Sequence, residues 1–296
     1  MKAAPHTMEL QIEGRRNFAD LPFSKHDFKI IAQMVKEYAG IDLHESKSSL
    51  VYSRLAKRIR ALALPSFEKY CQAVRTDVDE RHQMVSMLTT NVTSFFREAH
   101  HFEHLKSKIL APIVPAARRG EKIRIWSAAC SSGQEPYSIA LTVLSILPEA
   151  PSLDVRILAT DLNADVVNKG RAAVYDRQEA SAIPPALKSK WTSPCTVRDE
   201  PSFQISDEAR SLVSFRELNL MQGWPMRGLF HAIFCRNVVI YFDRETQCKI
   251  WQRMASLLPV GGALYIGHSE RISGPASSLL SPDGITAFRK IEVDSA

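Results

Sequence analysis

Long apolar runs are missing from this 296-residue chain, and their absence excludes the first class of answer. No stretch approaches the ~20 consecutive apolar residues that a membrane-spanning helix needs. The opening residues, MKAAPHTMELQIEGRRNF, hold no continuous apolar segment and no small-residue cleavage site, so a cytoplasmic protein without membrane insertion is expected. Cysteine is sparse: Cys71, Cys130, Cys195, Cys235 and Cys248 form an odd, scattered set with no C-x-x-C pair. That pattern offers neither a disulfide framework nor a zinc site, and reduced, partly buried thiols are expected. Internal repeats and low-complexity tracts are lacking as well.

What remains is ordinary globular material. Apolar residues make up 45% of the chain, enough for one large core or for a medium core with a small satellite domain. The net charge of +6 favours an acidic partner (nucleic acid, anionic lipid or an acidic protein surface) without choosing among them.

The pattern along the chain changes twice. Residues 1–22 are polar and irregular and predict a flexible leader. Residues 23–85 have helical periodicity: Phe28, Ile31, Val35 and Tyr38 share one face, and Gly40 is a plausible stop. Further helices are expected over about 46–64, from near Ser66 and from near Asp79, giving a small all-α domain. In residues 86–296, strands then alternate with helices. Strands are expected at 123–128, 154–160, 213–217, 231–235, 263–267 and about 284–291, with helices at about 136–147, 164–173 and 244–258. Such alternation predicts an α/β domain whose mainly parallel sheet carries helices on both faces. The stretch between Tyr175 and Ser214, with Pro184, Pro185, Pro194 and Pro201, is too long for a simple connection. It predicts an inserted β subdomain over about 180–215.

In an open α/β sheet a ligand binds beyond the carboxyl ends of the strands. The first strand, IRIWSA, runs into ACSSGQEPYSIAL, a turn of small residues that lets a ligand approach the backbone, with Pro136 suited to a first helical position. Its single Gly133 does not make the three-glycine dinucleotide fingerprint, and Glu135 would repel a phosphate. A carboxylate there suits a ligand carrying an ammonium and a sulfonium, though a first-turn acid favoured by the helix dipole is the plainer alternative. Asp161, at the end of ILATD, stands where such folds place an acid on ribose hydroxyls; otherwise it caps the next helix.

Beyond these residues the chain resembles the CheR family, the chemotaxis receptor glutamate methyltransferases. The resemblance spans about residues 23–288 and rests on separated segments in family order: TTNVTSFFRE, IRIWSAACSSGQEPYSIA, ILATDLNADVVNKGRAAVY, FRELNL, FHAIFCRNVVIYFDRETQ and GGALYIGHSE. It implies a Rossmann-like S-adenosylmethionine methyltransferase sheet with a small inserted β subdomain, preceded by a small all-α domain. It implies cofactor contacts from Asn91, Thr93, Arg97, Glu135, Asp161, Asn219, Leu220, Arg236 and Asn237. It implies as substrate the cytoplasmic helical region of chemotaxis receptors, with S-adenosylhomocysteine as product.

Methyl transfer from a sulfonium to a glutamate carboxylate is a displacement by a group already ionised near neutral pH, since a glutamate titrates near ~4.3. No general base is required, only alignment and removal of water. Arg97, able to orient a carboxylate, and Tyr241, at the end of RNVVIYF, are the candidates for the reacting region. The plainer readings are a surface charge for Arg97 and a packed aromatic for Tyr241. His100, His101 and His104 lie close in sequence but lack a completing acid or thiol set, so no metal is expected. Arg54 and Arg58, one turn apart on a helix rich in Lys and Arg, are candidates for docking an acidic receptor helix; a solvated face is the alternative. Family members also dock a receptor's C-terminal peptide on the inserted subdomain by strand addition, which leaves open whether this proline-rich insert keeps a usable edge.

Two other classes compete. Nucleic-acid methylation fits the positive charge, but the place after the fourth strand reads CRNVVIYF, without the Asp/Asn-Pro-Pro-aromatic signature, so nucleic acid is not expected as a partner. A module that senses the cofactor without turnover is the other. Nothing in the sequence demands more than a monomer.

Overall fold

A computed structural model describes residues 21–292, so most of the expected leader lies outside the described residues. Leu21, placed in that leader by the sequence reading, is buried in the helical core instead. Four helices make up that core: α1 (Lys25–Ala39), α2 (Ser48–Ala61), α3 (Phe67–Thr76) and α4 (Val78–Leu88). Their starts are written locally. Ser24 and Asp27 form a reciprocal capping box on α1, and Ser66 and Asp77 cap α3 and α4 through their side-chain oxygens. Phe28, Ile31, Val35, Val51, Leu55, Ile59, Phe67, Tyr70, Val74 and Met84 fill the space between the helices.

A helical rod then leads into the second domain: α5 (His100–His104), a widened turn over Leu105–Leu110, and α6 (Ala111–Arg118). Pro112 lacks an N–H and its ring would crowd the carbonyl one turn back, and the wider turn just before it accommodates both defects. The main sheet follows, built from β1 (Ile123–Ala128), β2 (Val155–Asp161), β6 (Val213–Glu217), β7 (Ala232–Cys235) and β8 (Ala263–Ile266), all parallel. A hairpin of β9 (Leu280–Gly284) and β10 (Ala287–Lys290) closes one side antiparallel, where the sequence predicted one final strand. The order is β6-β2-β1-β7-β8-β10-β9. Chain direction across the sheet therefore reverses between β1 and β7, where open α/β sheets bind ligands. Helices α7 (Gln134–Ile146), α8 (Ala164–Ala172) and α11 (Arg244–Ser256) connect the strands, and separate apolar clusters fill the two faces of the sheet.

The insertion is a three-stranded antiparallel sheet of β3 (Val174–Asp176), β5 (Glu200–Ile205) and β4 (Thr192–Val197), with α9 (Pro185–Trp191) before β4 and α10 (Asp207–Ser211) after β5. It starts earlier and ends earlier than the expected 180–215, because residues 213–217 extend the main sheet instead of the insert. β4 is a free edge. Ser206 N–H donates to the Trp191 carbonyl, which fixes the pairing parity: with Pro194 opposite Phe203, its nitrogen faces outward. An incoming strand would meet a proline ring there rather than an N–H, a common way to blunt an edge.

Candidate active site

The site is assembled at the carboxyl ends of β1, β2, β6 and β7, beneath the helical domain. After β1 the chain curls through Ala129 (φ 60°), Ser131 (φ 49°) and Gly133 (φ 99°). At Gly133 a Cβ would lie 2.9 Å from the Gly170 Cα, so the close passage of α8 requires glycine. The curl turns the Ser131 N–H onto Asp161 Oδ2 at 2.8 Å, and Asn163 N–H donates to Oδ1 at 3.0 Å. Asn163, not Asp161, caps α8. Asp161 is only 8% exposed, and burial pushes its carboxyl above the usual carboxylate range.

Glu135 sits in the first turn of α7, buried, with one hydrogen bond on each carboxylate oxygen. It accepts the Ser127 hydroxyl at 2.6 Å and Arg236 Nε at 2.7 Å. Arg236 Nη1 donates to the Arg97 carbonyl at 2.6 Å and to His101 Nδ1 at 3.1 Å, with Glu98 3.4 Å away. Its Nη2 makes no hydrogen bond among the described residues. The guanidinium thus ties α7, β7 and the segment before α5 together while keeping one nitrogen in reserve. Burial, and then Arg236 itself, pull the His101 imidazole down to about 3, so it is neutral near pH 7. With Nδ1 accepting from Arg236, Nε2 carries the proton and donates to the Ile285 carbonyl at 3.1 Å.

The rest of the wall comes from three connections. Asn219 follows β6; its amide donates to the Tyr38 carbonyl at 2.7 Å, and its oxygen accepts Met221 N–H at 2.9 Å. Asn237, at φ 58°, leads into a short helical turn, Val239–Tyr241, and the Tyr241 hydroxyl has no hydrogen-bond partner among the described residues. Asp42 N–H donates to the Tyr241 carbonyl at 2.8 Å, and Ile41 pairs with Phe242. Between these walls lies a cavity of about 480 Å³. Asn91, Thr93, Arg97, Glu135, Asp161, Asn219, Leu220, Arg236, Asn237 and Tyr241, the residues nominated for cofactor and catalysis, all line it.

Two matches decide the family. Residues 91–282 match "CheR methyltransferase, SAM binding domain", and residues 26–89 match "CheR methyltransferase, all-alpha domain". The chain belongs to the CheR methyltransferase family. It is 52% identical over 258 residues to a probable chemotaxis protein methyltransferase of Rhizobium etli, covering 86% of this chain and 96% of that one. It is 39% identical over 269 residues to chemotaxis protein methyltransferase 2 of Pseudomonas aeruginosa, covering 90% and 93%. Identity to the chemotaxis protein methyltransferase of Escherichia coli is 38% over 256 residues, covering 86% and 87%.

Within this CheR-family frame, Arg54 and Arg58 lie outside the cavity, and both guanidiniums are partly engaged by the helical domain itself. Arg54 Nη1 donates to the Met87 and Thr89 carbonyls at 3.0 and 2.7 Å, closing the end of α4. Arg58 forms a two-point pair with Glu80 at 3.1 and 2.6 Å, and Tyr70 also donates to Glu80 at 2.9 Å. The helix α2 carries no acid of its own, but its partner α4 supplies one at Glu80, which a reading of α2 alone missed. Lys47 and Lys57 remain exposed.

Two of the three histidines come together, beside an acid that the sequence reading had not counted. Glu98, His100 and His101 have ligand atoms within 4.8 Å of one another, yet both His101 nitrogens are already bonded. His104 turns away to the Tyr265 hydroxyl at 2.9 Å and to Asp283 at 3.1 Å. Sequence reasoning overlooked the loop 40–44, which brings Ile41, Asp42 and His44 to the cavity, and Glu270. The acid closing GGALYIGHSE was the available signal for the latter. Among the described residues no helix is long and apolar enough to cross a membrane.

Proposed function

We propose that this protein methylates glutamate side chains on the cytoplasmic helices of chemotaxis receptors, giving glutamate methyl esters and S-adenosylhomocysteine, and so serves adaptation in chemotaxis signalling in the cytoplasm. The observation that carries the reading is the convergence of Asn91, Thr93, Arg97, Glu135, Asp161, Asn219, Leu220, Arg236, Asn237 and Tyr241 on one cavity at the sheet's reversal point. The names of the Rhizobium, Pseudomonas and Escherichia relatives support the chemotaxis substrate.

The donor set fits S-adenosylmethionine, which supplies the methyl group. Asp161 retains lone pairs beyond its two backbone N–H bonds and accepts ribose hydroxyls. Arg236 offers its spare Nη2 to a carboxylate, while Glu135 balances the buried guanidinium so that the site gains a directed donor without an uncompensated charge. Asn219 and Leu220 wall the nucleoside end, Asn91 and Thr93 close the cavity from the interdomain segment, and Asn237 contributes from the opposite strand end. Arg97 and Tyr241 orient the incoming carboxylate: a guanidinium and a phenol without a hydrogen-bond partner among the described residues direct its oxygens without taking a proton. Nothing in this mechanism asks for a base or a metal.

The test is incubation with methyl-labelled S-adenosylmethionine and receptor-containing membranes, beside DNA and RNA, with mass mapping of the products. Base-labile label on receptor glutamates is expected. Label on nucleic acid, or cofactor binding with no turnover on any receptor, overturns the reading.

A further inference from the structure

The strand-end loop that delivers Asn237 and Tyr241 is organised around a carboxylate outside the cavity. Glu270, 4% exposed, accepts four backbone N–H groups: Gly267 at 2.6 Å, Asn237 and Val238 at 3.0 Å each, and Val239 at 2.8 Å. Three successive N–H groups converging on one point form the concave cradle that elsewhere binds anions. Here the chain fills it with its own acid, reaching back from the loop after β8. The fit is close on both sides: a Cβ on Gly267 would lie 2.8 Å from the Asn237 backbone nitrogen. Asn237 stands at φ 58°, in the left-handed region that asparagine tolerates better than most non-glycine residues.

We infer that Glu270 is a positioning residue for methyl transfer, acting through the backbone of residues 237–239 to set where Tyr241 stands. The geometry separates it from simple packing. A carboxylate offers lone pairs to all four N–H groups, whereas the isosteric amide of glutamine turns an NH₂ toward part of the cradle and forces the turn to open. Burial raises the Glu270 carboxyl while the four N–H bonds oppose it. The loss of alignment falls on Tyr241, at the end of the short turn whose first N–H groups Glu270 holds.

The inference rests on the role proposed above for Tyr241, and a double-mutant cycle on the full chain tells the two apart. With receptor and saturating S-adenosylmethionine, Glu270→Gln is expected to lower kcat by about tenfold or more, since small misplacements near the reacting atoms have such effects. In a Tyr241→Phe background the same change adds little, because its target is already gone. Glu270→Asp, which keeps the charge, restores part of the rate. If Glu270→Gln lowers kcat equally in both backgrounds, Glu270 is only structural and the inference falls while the Tyr241 role stands. If Tyr241→Phe leaves kcat unchanged, the Tyr241 role and the inference fall together. Should Glu270→Gln not fold, Gly267→Ala displaces Asn237 from the same cradle, and the same comparison with Tyr241→Phe decides.

Discussion

At the residue scale, the site stands on buried polar groups that must be satisfied whether or not a ligand is present. Asp161 is the clearest. It holds two N–H groups of its own loops and turns the remaining capacity toward the cavity. Asp161→Ala is expected to weaken S-adenosylhomocysteine binding by ~10–100-fold, the equivalent of a hydrogen bond to a charged group, read by calorimetry. An unchanged Kd would remove Asp161 from the nucleoside site. His101 makes a different prediction, in pH. Folded, its imidazole stays neutral down to about 3; unfolded, it takes up a proton near 6.5. Between those values the unfolded chain binds the extra proton, so stability falls as pH drops from 6.5 toward 3. The slope from one such group is at most ~1.4 kcal/mol per pH unit. His231, lowered mainly by burial, adds in the same direction. Urea midpoints between pH 7 and pH 5 should therefore fall less steeply in His101→Gln than in the parent, even if the variant starts lower. Parallel curves would mean the imidazole does not carry the effect.

At the element scale, α2 shows why the sequence was easier to parse into helices than into surfaces. Leu55 and Ile59, one turn apart, lie in the helical core, whereas Leu62, just past the end of the helix, is exposed. Its basic residues carried no label for their partners, which sit on α4 and just after it. Arg58→Ala strands a Glu80 carboxylate that keeps only the Tyr70 hydroxyl from its side-chain partners. Breaking a buried pair costs ~3–5 kcal/mol, and partial exposure of Arg58 reduces this to about 1–3 kcal/mol of helical-domain stability. Denaturant unfolding checks it, and Glu80→Gln in the Arg58→Ala background should recover part of the loss. No recovery would mean that the pair is not what stabilises α2 on α4. The same logic accounts for what else the sequence revealed or hid. Alternating β–α segments made the parallel strands legible, because each carries its own apolar run and turn residues. The hairpin β9–β10 was half missed, since Ser281, Pro282 and Asp283 do not alternate as a half-buried strand does. Of the cavity residues, Glu135 and Asp161 were legible at the strand ends themselves, while Asn91, Thr93, Asn219, Leu220, Arg236 and Asn237 came only with the family resemblance. Glu270 and loop 40–44 were not found, because their importance lies in backbone contacts across the fold that no local spacing encodes.

At the scale of the whole molecule, the cavity belongs to neither domain alone, and the helical domain forms one of its walls. Its seat is a small set of contacts around Gly40: the Asn219 amide on the Tyr38 carbonyl, the Asp42–Tyr241 backbone bond, the Ile41–Phe242 pairing, and Lys36 3.1 Å from Asp243. Gly40 ends α1 at φ 73°, and a Cβ there would run into the Met221 side chain of the other domain. Loosening this seat should therefore cost cofactor affinity although Gly40 itself does not line the cavity. Gly120 provides the matched control: it too has a positive φ, of 100°, but nothing lies within 4 Å of an added Cβ. Gly40→Ala and Gly120→Ala carry a similar backbone strain of ~1 kcal/mol, so both should lower the unfolding midpoint modestly. Only Gly40→Ala should weaken S-adenosylhomocysteine binding, by about three- to tenfold, because only that strain is transmitted to the cavity wall. Equal affinities in the two variants would mean that strain at Gly40 does not reach the cavity wall. A selective loss would make the angle between the domains a determinant of cofactor retention, set by a handful of backbone bonds around one glycine.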